Sequence, residues 1–160
     1  MPIRFLTFLC SCLAAYLTLA PTPSSFGRPS SKKAEEKAFL ESNRAKPEIH
    51  STKSGLQYQL LRKGEGSEFP NWRSTVSIHL KGSLIDGTVF ENTLQRETPV
   101  STKLDKLIPG CREAIKLMNV GDKYRFYVPS KLGYGRTQQG DIPPYSVLVF
   151  EIELYEIKRR

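Results

Sequence analysis

The spacing of apolar positions changes three times along the chain. Residues 5–19 are almost continuously apolar, broken only by Thr7, Cys10, Ser11, Cys12 and Thr18. Residues 34–45 then carry strong helix formers, Ala34, Glu35, Glu36, Lys37, Ala38, Leu40 and Glu41, between the capping residue Ser31 and the stop Pro47. From Gly55 onward the period becomes two. Leu56, Tyr58 and Leu60 alternate with glutamines, and Val76, Ile78 and Leu80 alternate with Ser77 and His79. The run 124–128 alternates as well, and in 147–157 Leu148, Phe150, Ile152 and Leu154 share one face while Val149, Glu151, Glu153 and Tyr155 share the other. Half-buried antiparallel strands follow from that period, with turns at 63–66, 86–87, 119–122 and 140–144.

One later segment returns to helical spacing. Residues 109–118 open with Pro109, where a helix tolerates proline, and set Cys111, Ala114, Ile115 and Met118 at i, i+3, i+4 and i+7. The expected class is α+β: a curved antiparallel sheet wrapped around one short helix, preceded by a short linker helix. Ala38, Phe39 and Ala45 make too narrow a stripe for a coiled-coil seam, so the linker helix is expected to be solvated.

The apolar N-terminal run follows a single cation, Arg4, and is shorter than the roughly 18 to 20 residues that span a bilayer. An export signal at 1–20 is expected, then a Pro/Ser tether and the short helix at 21–53, then the domain proper at 54–160. Pro21 would follow the cut, so an uncleaved anchor is the alternative, and Leu9-Cys10-Ser11-Cys12 loosely resembles a lipobox with Cys12 acylated. The compartment is then periplasmic, or membrane-anchored on the periplasmic side, with membrane contact only through this segment. After cleavage Cys111 is the one remaining thiol and forms no internal disulfide.

Charge narrows the partners. The chain carries 24 Lys and Arg against 16 Asp and Glu, a net charge of +8. Residues 1–54 hold eight basic and four acidic side chains, so half of the excess lies outside the sheet-forming part. No basic run interleaves with aromatics there, and nucleic acid is not an expected partner.

Catalytic constellations are missing from the pattern. His50 and His79 have no Cys, Asp or Glu neighbours at metal spacing, no Ser-His-Asp order occurs, and Gly133-Tyr134-Gly135 is too short to cradle a phosphate. Neither metal nor cofactor is expected. What remains is a set of apolar residues near turns: Phe90, Leu107, Ile108, Tyr134, Ile142 and Phe150. Most such residues are core, but Tyr134 between two glycines and Ile142 in a Pro-rich turn suit an apolar pocket.

The order of motifs resembles the FKBP family of peptidyl-prolyl cis-trans isomerases, especially its exported bacterial Mip-like and FkpA-like branch. The resemblance rests on Ser54-Gly55-Leu56-Gln57-Tyr58, Gly82-Ser83-Leu84-Ile85-Asp86-Gly87-Thr88-Val89-Phe90, Leu107-Ile108-Pro109-Gly110, Val128-Pro129-Ser130, Leu132-Gly133-Tyr134-Gly135, Ile142-Pro143-Pro144 and residues 148–154, spread over about 105 residues. It implies an FKBP-like fold that assists folding of exported proteins by isomerising X-Pro bonds, without a covalent step. By motif, Phe90, Glu91, Tyr134 and Phe150 take catalytic positions, and Leu80, Thr102, Leu107, Ile108, Cys111 and Ile142 take substrate-binding ones. Tyr134 would hydrogen-bond a substrate carbonyl, while Leu107 and Ile108 would hold the proline ring.

Four positions depart from the family pattern. Tyr usually stands where this chain has Leu80, Phe where it has Thr102, Trp at the pocket floor where it has Cys111, and Asp where it has Glu91. Aromatic-to-small changes in packed sites cost about 3 to 5 kcal/mol when nothing refills the space, and Trp72 lies too far along the chain to do so. Reduced turnover and weak binding of macrolide inhibitors such as tacrolimus are expected. The alternative is a non-catalytic peptide-binding chaperone module; a structural lipoprotein would rest only on Cys12. Cys111 also begins a helix, where the dipole favours a thiolate, although a buried inert thiol is the ordinary reading. With about a dozen helical residues ahead of the domain, a monomer is expected.

Overall fold

The computed structural model describes residues 29–158, in which seven strands form one antiparallel sheet. The expected signal at 1–20, with Cys12, and most of the tether lie outside the described residues. The strands are β1 (His50–Ser51), β2 (Gln57–Arg62), β3 (Thr75–Leu84), β4 (Val89–Asn92), β5 (Val100–Lys103), β6 (Lys123–Val128) and β7 (Leu148–Lys158). Two α-helices accompany them, α1 (Pro29–Arg44) and α2 (Pro109–Ile115). The strand order is β1-β2-β6-β7-β3-β4, with β5 also on β3. The longest ladder joins β3 to β7, from Thr75 opposite Lys158 to Leu84 opposite Leu148. A register shift between Ser77 and Ile78 interrupts this ladder as a bulge does.

Alternation puts Tyr58, Phe126 and Phe150 in line across β2, β6 and β7, on the same face as Val128, Leu148 and Ile152. That face holds the main core, and α2 lies against it with Cys111, Ala114 and Ile115 buried. The helix is shorter than its periodicity implied, because Leu117 and Met118 donate to Ala114 and Ile115 at 3.0 and 3.1 Å in a tighter final turn. Met118 still ends fully buried. Gly110 permits the close approach: a Cβ there would stand 2.3 Å from Val128 Cγ1. Ser54 Oγ, 2.8 Å from both Glu113 carboxylate oxygens, ties the same helix to the entry of β2.

The spacing of two predicts the strands β2, β3, β6 and β7. It leaves out β1, β4 and β5, which have two to four residues and are too short to show a period.

The linker helix differs from expectation. It begins at Pro29, and it is not a solvated lead-in, because it docks on the outer face of the sheet. The Phe39 and Tyr127 rings lie 5.9 Å apart, and Ile49, Tyr127 and Val147 make a second small core. Gln57, on the nominally polar side of β2, is fully buried and donates to the Leu40 carbonyl at 2.7 Å, while Asn43 donates to its Oε1 at 2.9 Å. A buried amide pair thus joins helix to sheet where alternation implied solvent. Glu36 extends the attachment by accepting from Ser130 N at 2.6 Å and Ser130 Oγ at 2.9 Å.

Asp122, fully buried before β6, organises the neighbouring turns. It accepts from Gly64 N at 2.7 Å and Asn119 N at 2.8 Å, and the Lys63 ammonium stands 3.2 Å away. Burial alone would raise its pKa, but the two amides and Lys63 outweigh burial and hold it below the usual carboxylate range. Because the folded pKa lies below the unfolded one, this carboxylate stabilises fully above the unfolded value, and its contribution is lost as pH falls through the folded value. Asp122→Asn should therefore lower the urea unfolding free energy near neutral pH by about 1 to 3 kcal/mol. Denaturation midpoints from neutral pH down to pH 2 should show that difference shrinking on the acid side.

Candidate functional site

The site begins where β3 lacks a neighbour. On one edge β5 pairs with Thr75 to Ile78 and β4 with Lys81 to Ser83, so His79 and Leu80 have no strand beside them there. Thr93, 2% exposed, takes the strand's place. Its amide donates to Leu80 O at 2.8 Å, and its hydroxyl accepts from Leu80 N at 2.8 Å. The chain beyond Thr93 then swings away before returning as β5. A cleft of about 650 Å³ opens between this edge of the sheet and the start of α2.

All ten residues named from the sequence border that cleft: Leu80, Phe90, Glu91, Thr102, Leu107, Ile108, Cys111, Tyr134, Ile142 and Phe150. Phe90 from β4 meets Phe150 from β7 edge to face, with centroids 5.7 Å apart. Gly82 makes room for the pair, since a Cβ there would stand 2.5 Å from Phe90 Cε2. Ile142 is presented by a turn in which it and Gln139 exchange backbone hydrogen bonds of 2.9 and 3.0 Å. Tyr134 rides on a turn whose Gly133 and Gly135 amides both donate to Ser130 O, at 2.9 and 2.8 Å. Leu107 and Ile108 lead directly into α2, whose Cys111 faces the cleft from below.

Sequence reasoning missed Ile78, Thr93, Arg96, Val100, Lys106 and 139–141 in this lining. Ile78 was recoverable, because it shares a strand face with Leu80. Thr93 carried no signal, since a polar residue in a loop does not announce a backbone partner. Arg96 lies 3.8 Å from Glu91 at the half-exposed rim.

Charged and polar side chains, Glu91, Arg96, Lys106 and Asp141 among them, share the cleft lining with the apolar ones, and two of its polar groups, Tyr134 and Cys111, are weak acids. Burial, and after it the neighbouring Cys111, hold the Tyr134 phenol above its ordinary pKa, so it remains a hydrogen-bond donor. Burial also pushes the Cys111 thiol up to about 12, so the thiolate favoured by a helix start is not populated at neutral pH. Trp72, 62% exposed, lies outside the cleft with the Arg73 guanidinium 4.3 Å from its ring centre. His79 packs edge-on against Tyr155 at 5.2 Å. No three His, Cys, Asp or Glu side chains converge as a metal site among the described residues. Such an arrangement can enclose an apolar group, exclude water from it and offer a hydroxyl to an acceptor.

Comparison with known proteins places the chain. Residues 66–155 match the model of the FKBP-type peptidyl-prolyl cis-trans isomerase, and residues 28–60 match the domain amino-terminal to FKBP-type peptidyl-prolyl isomerase. The chain is 43% identical over 128 residues to the isomerase FkpA of Aeromonas hydrophila, covering 80% of this chain and 47% of that one. It is 40% identical over 134 residues to the outer membrane protein MIP of Legionella longbeachae, covering 80% of this chain and 57% of that one. It therefore spans about half the length of these curated relatives. The crystal structure of FkpA from Escherichia coli superposes with a TM-score of 0.76 at 36% identity, over 81% of this chain and 61% of that one.

Thr93 yields the prediction specific to this geometry. Thr93→Val removes the acceptor for Leu80 N and should destabilise by about 1 to 3 kcal/mol. Thr93→Ser, which keeps the hydroxyl, should cost no more than about 1 kcal/mol for the lost methyl. Urea unfolding followed by circular dichroism distinguishes them, and equal losses in both variants would remove Thr93 from its bridging role.

Proposed function

The chain belongs to the family of FKBP-type peptidyl-prolyl cis-trans isomerases, and from that premise we propose that its cleft accelerates the cis-trans isomerisation of X-Pro bonds in polypeptides. The observation that carries the proposal is the convergence of the apolar and aromatic side chains of Phe90, Tyr134, Phe150, Leu107 and Ile108 on one cleft of about 650 Å³. Rotation about an X-Pro bond faces a barrier of about 18 to 20 kcal/mol because amide resonance is lost in the twisted state. A dry cavity favours the less polar twisted amide over the planar one, and the reaction makes no covalent bond. In this reading Leu107 and Ile108 grip the proline ring, Phe90, Ile142 and Phe150 wall it in, and Tyr134 donates to the adjacent carbonyl. Glu91 and Arg96 close the rim.

Turnover is weakened in this reading. Cys111 supplies a small thiol at the floor and Thr102 a small side chain at the wall, so a proline ring has less surface to meet than aromatic residues would give. Macrolide inhibitors bind weakly for the same reason. The small floor also favours a second reading, a peptide-binding chaperone module on the same fold without catalysis. Export is supported by the apolar segment 5–19. A monomer is supported by α1, whose Phe39 and Leu40 face the chain's own sheet.

A peptide X-Pro isomerisation assay tests the proposal. The wild-type chain should accelerate the reaction, and Leu80→Tyr/Thr102→Phe/Cys111→Trp should raise kcat/KM at least about tenfold, equivalent to ~1.4 kcal/mol. Tyr134→Phe should lower it by about the same factor, the net worth of one hydrogen bond. Equal rates in wild type and triple variant would contradict weakened turnover. Peptide binding without acceleration in either protein would establish the second reading.

A further inference from the structure

A second groove, of about 660 Å³, lies between α1 and the segment 129–136 that carries the Tyr134 turn. Its apolar surface comes from Leu40, Pro129 and Tyr145. Its charged surface is net positive, with five cations against two acids. Lys33, Lys37 and Arg44 line it from α1, and Lys131 and Arg136 from the facing segment. Only two acids share the lining. Glu36 has both carboxylate oxygens engaged by Ser130, and Glu41 lies 3.8 Å from Lys37. Lys33, Arg44, Lys131 and Arg136 make no ion pair among the described residues.

Cations facing one another across a concavity repel, and they concentrate a positive potential in the space between them. An occupant bearing several negative charges would relieve that repulsion, and one with apolar atoms between its charges would also cover Leu40 and Tyr145. An extended acidic polypeptide has both properties. The position of the groove supports the same occupant. Tyr134 borders the proposed isomerase cleft, while the next two residues, Gly135 and Arg136, border the groove, so one turn separates the two spaces. Tyr145 N donates to Gly135 O at 2.8 Å and ties that turn to the loop that leads into β7. A chain leaving the cleft over this turn enters the basic groove.

We propose that the groove is a binding site for acidic polypeptide segments, and that it selects substrates with Asp or Glu flanking the proline held in the cleft. The substrate clause rests on the isomerase reading; the binding clause does not. The test uses the full chain and a labelled, proline-free decapeptide rich in Glu, alongside its Gln counterpart. The acidic peptide should bind at least tenfold more tightly at low salt and lose that advantage as ionic strength rises. Lys33→Glu/Lys131→Glu, exposed positions on opposite walls, should abolish the preference without changing the thermal midpoint or the rate on a short neutral X-Pro peptide. Where isomerisation is measurable, kcat/KM for a proline peptide with a Glu-rich flank should exceed that of its Gln-flanked twin in the wild type only. Equal binding of the two decapeptides, or an acidic preference that survives the double variant, would overturn the site. Displacement of the acidic peptide by an oligonucleotide or phosphatidylglycerol vesicles that bind more tightly would overturn polypeptide as the occupant. Intact acidic binding with no isomerisation of any peptide would instead overturn the isomerase reading and leave the groove standing.

Discussion

The close approach of α2 to β6 sets the geometry on which the rest depends. Gly110 lets the helix backbone come within reach of Val128, where any side chain would collide. That contact seats Ala114, Ile115 and Met118 over Phe126, Val128, Leu148 and Ile152, and each large apolar side chain so buried contributes about 1.5 to 3 kcal/mol. The helix has only seven residues and packs chiefly on β6, and β3 residues Ile78 and Leu80 border the space beside its first turn. The cleft occupies that space. Its floor is the first turn of the helix, and its walls are the strands that run past it.

The opposite face obeys a different rule. Arg125 and Glu151 form a partly buried ion pair across β6 and β7, while the neighbouring Tyr127 and Val149 are covered by α1. Attachment of α1 uses polar groups as well as apolar ones, through Asn43 with Gln57 and Glu36 with Ser130. The Ser130 carbonyl in turn receives the amides that shape the Tyr134 turn, so α1 is hydrogen-bonded into the same network as the cleft wall. The helix therefore belongs to the structure of the site, and one groove beside it is lined from both sides.

Much of this arrangement was legible in the sequence, and the exceptions have physical causes. Period-two alternation exposed the four longer strands, and helical spacing at 111–118 exposed the element they wrap. Ordered motifs brought ten separated residues to one cleft. The short strands at 50–51, 89–92 and 100–103 have too few residues to carry a period. Docking of α1 was hidden because its contacts include Gln57, Asn43 and Glu36, residues that a hydrophobicity pattern assigns to solvent. Thr93 was hidden for a related reason: its work is to satisfy a backbone amide, and backbone needs leave no mark in side-chain pattern.

The central claim is that the cleft between the β3 edge and the start of α2 is where a proline-containing chain binds and isomerises. The most direct measurement is NMR exchange spectroscopy on an Ala-Pro tetrapeptide with a catalytic quantity of the full chain, combined with chemical-shift mapping on the protein. The account predicts cis-trans exchange cross-peaks that vanish without protein, and shifts concentrated at Phe90, Ile108, Cys111, Tyr134 and Phe150. Exchange at the uncatalysed rate with no shifts at those residues, or acceleration with shifts confined to another surface, would contradict it.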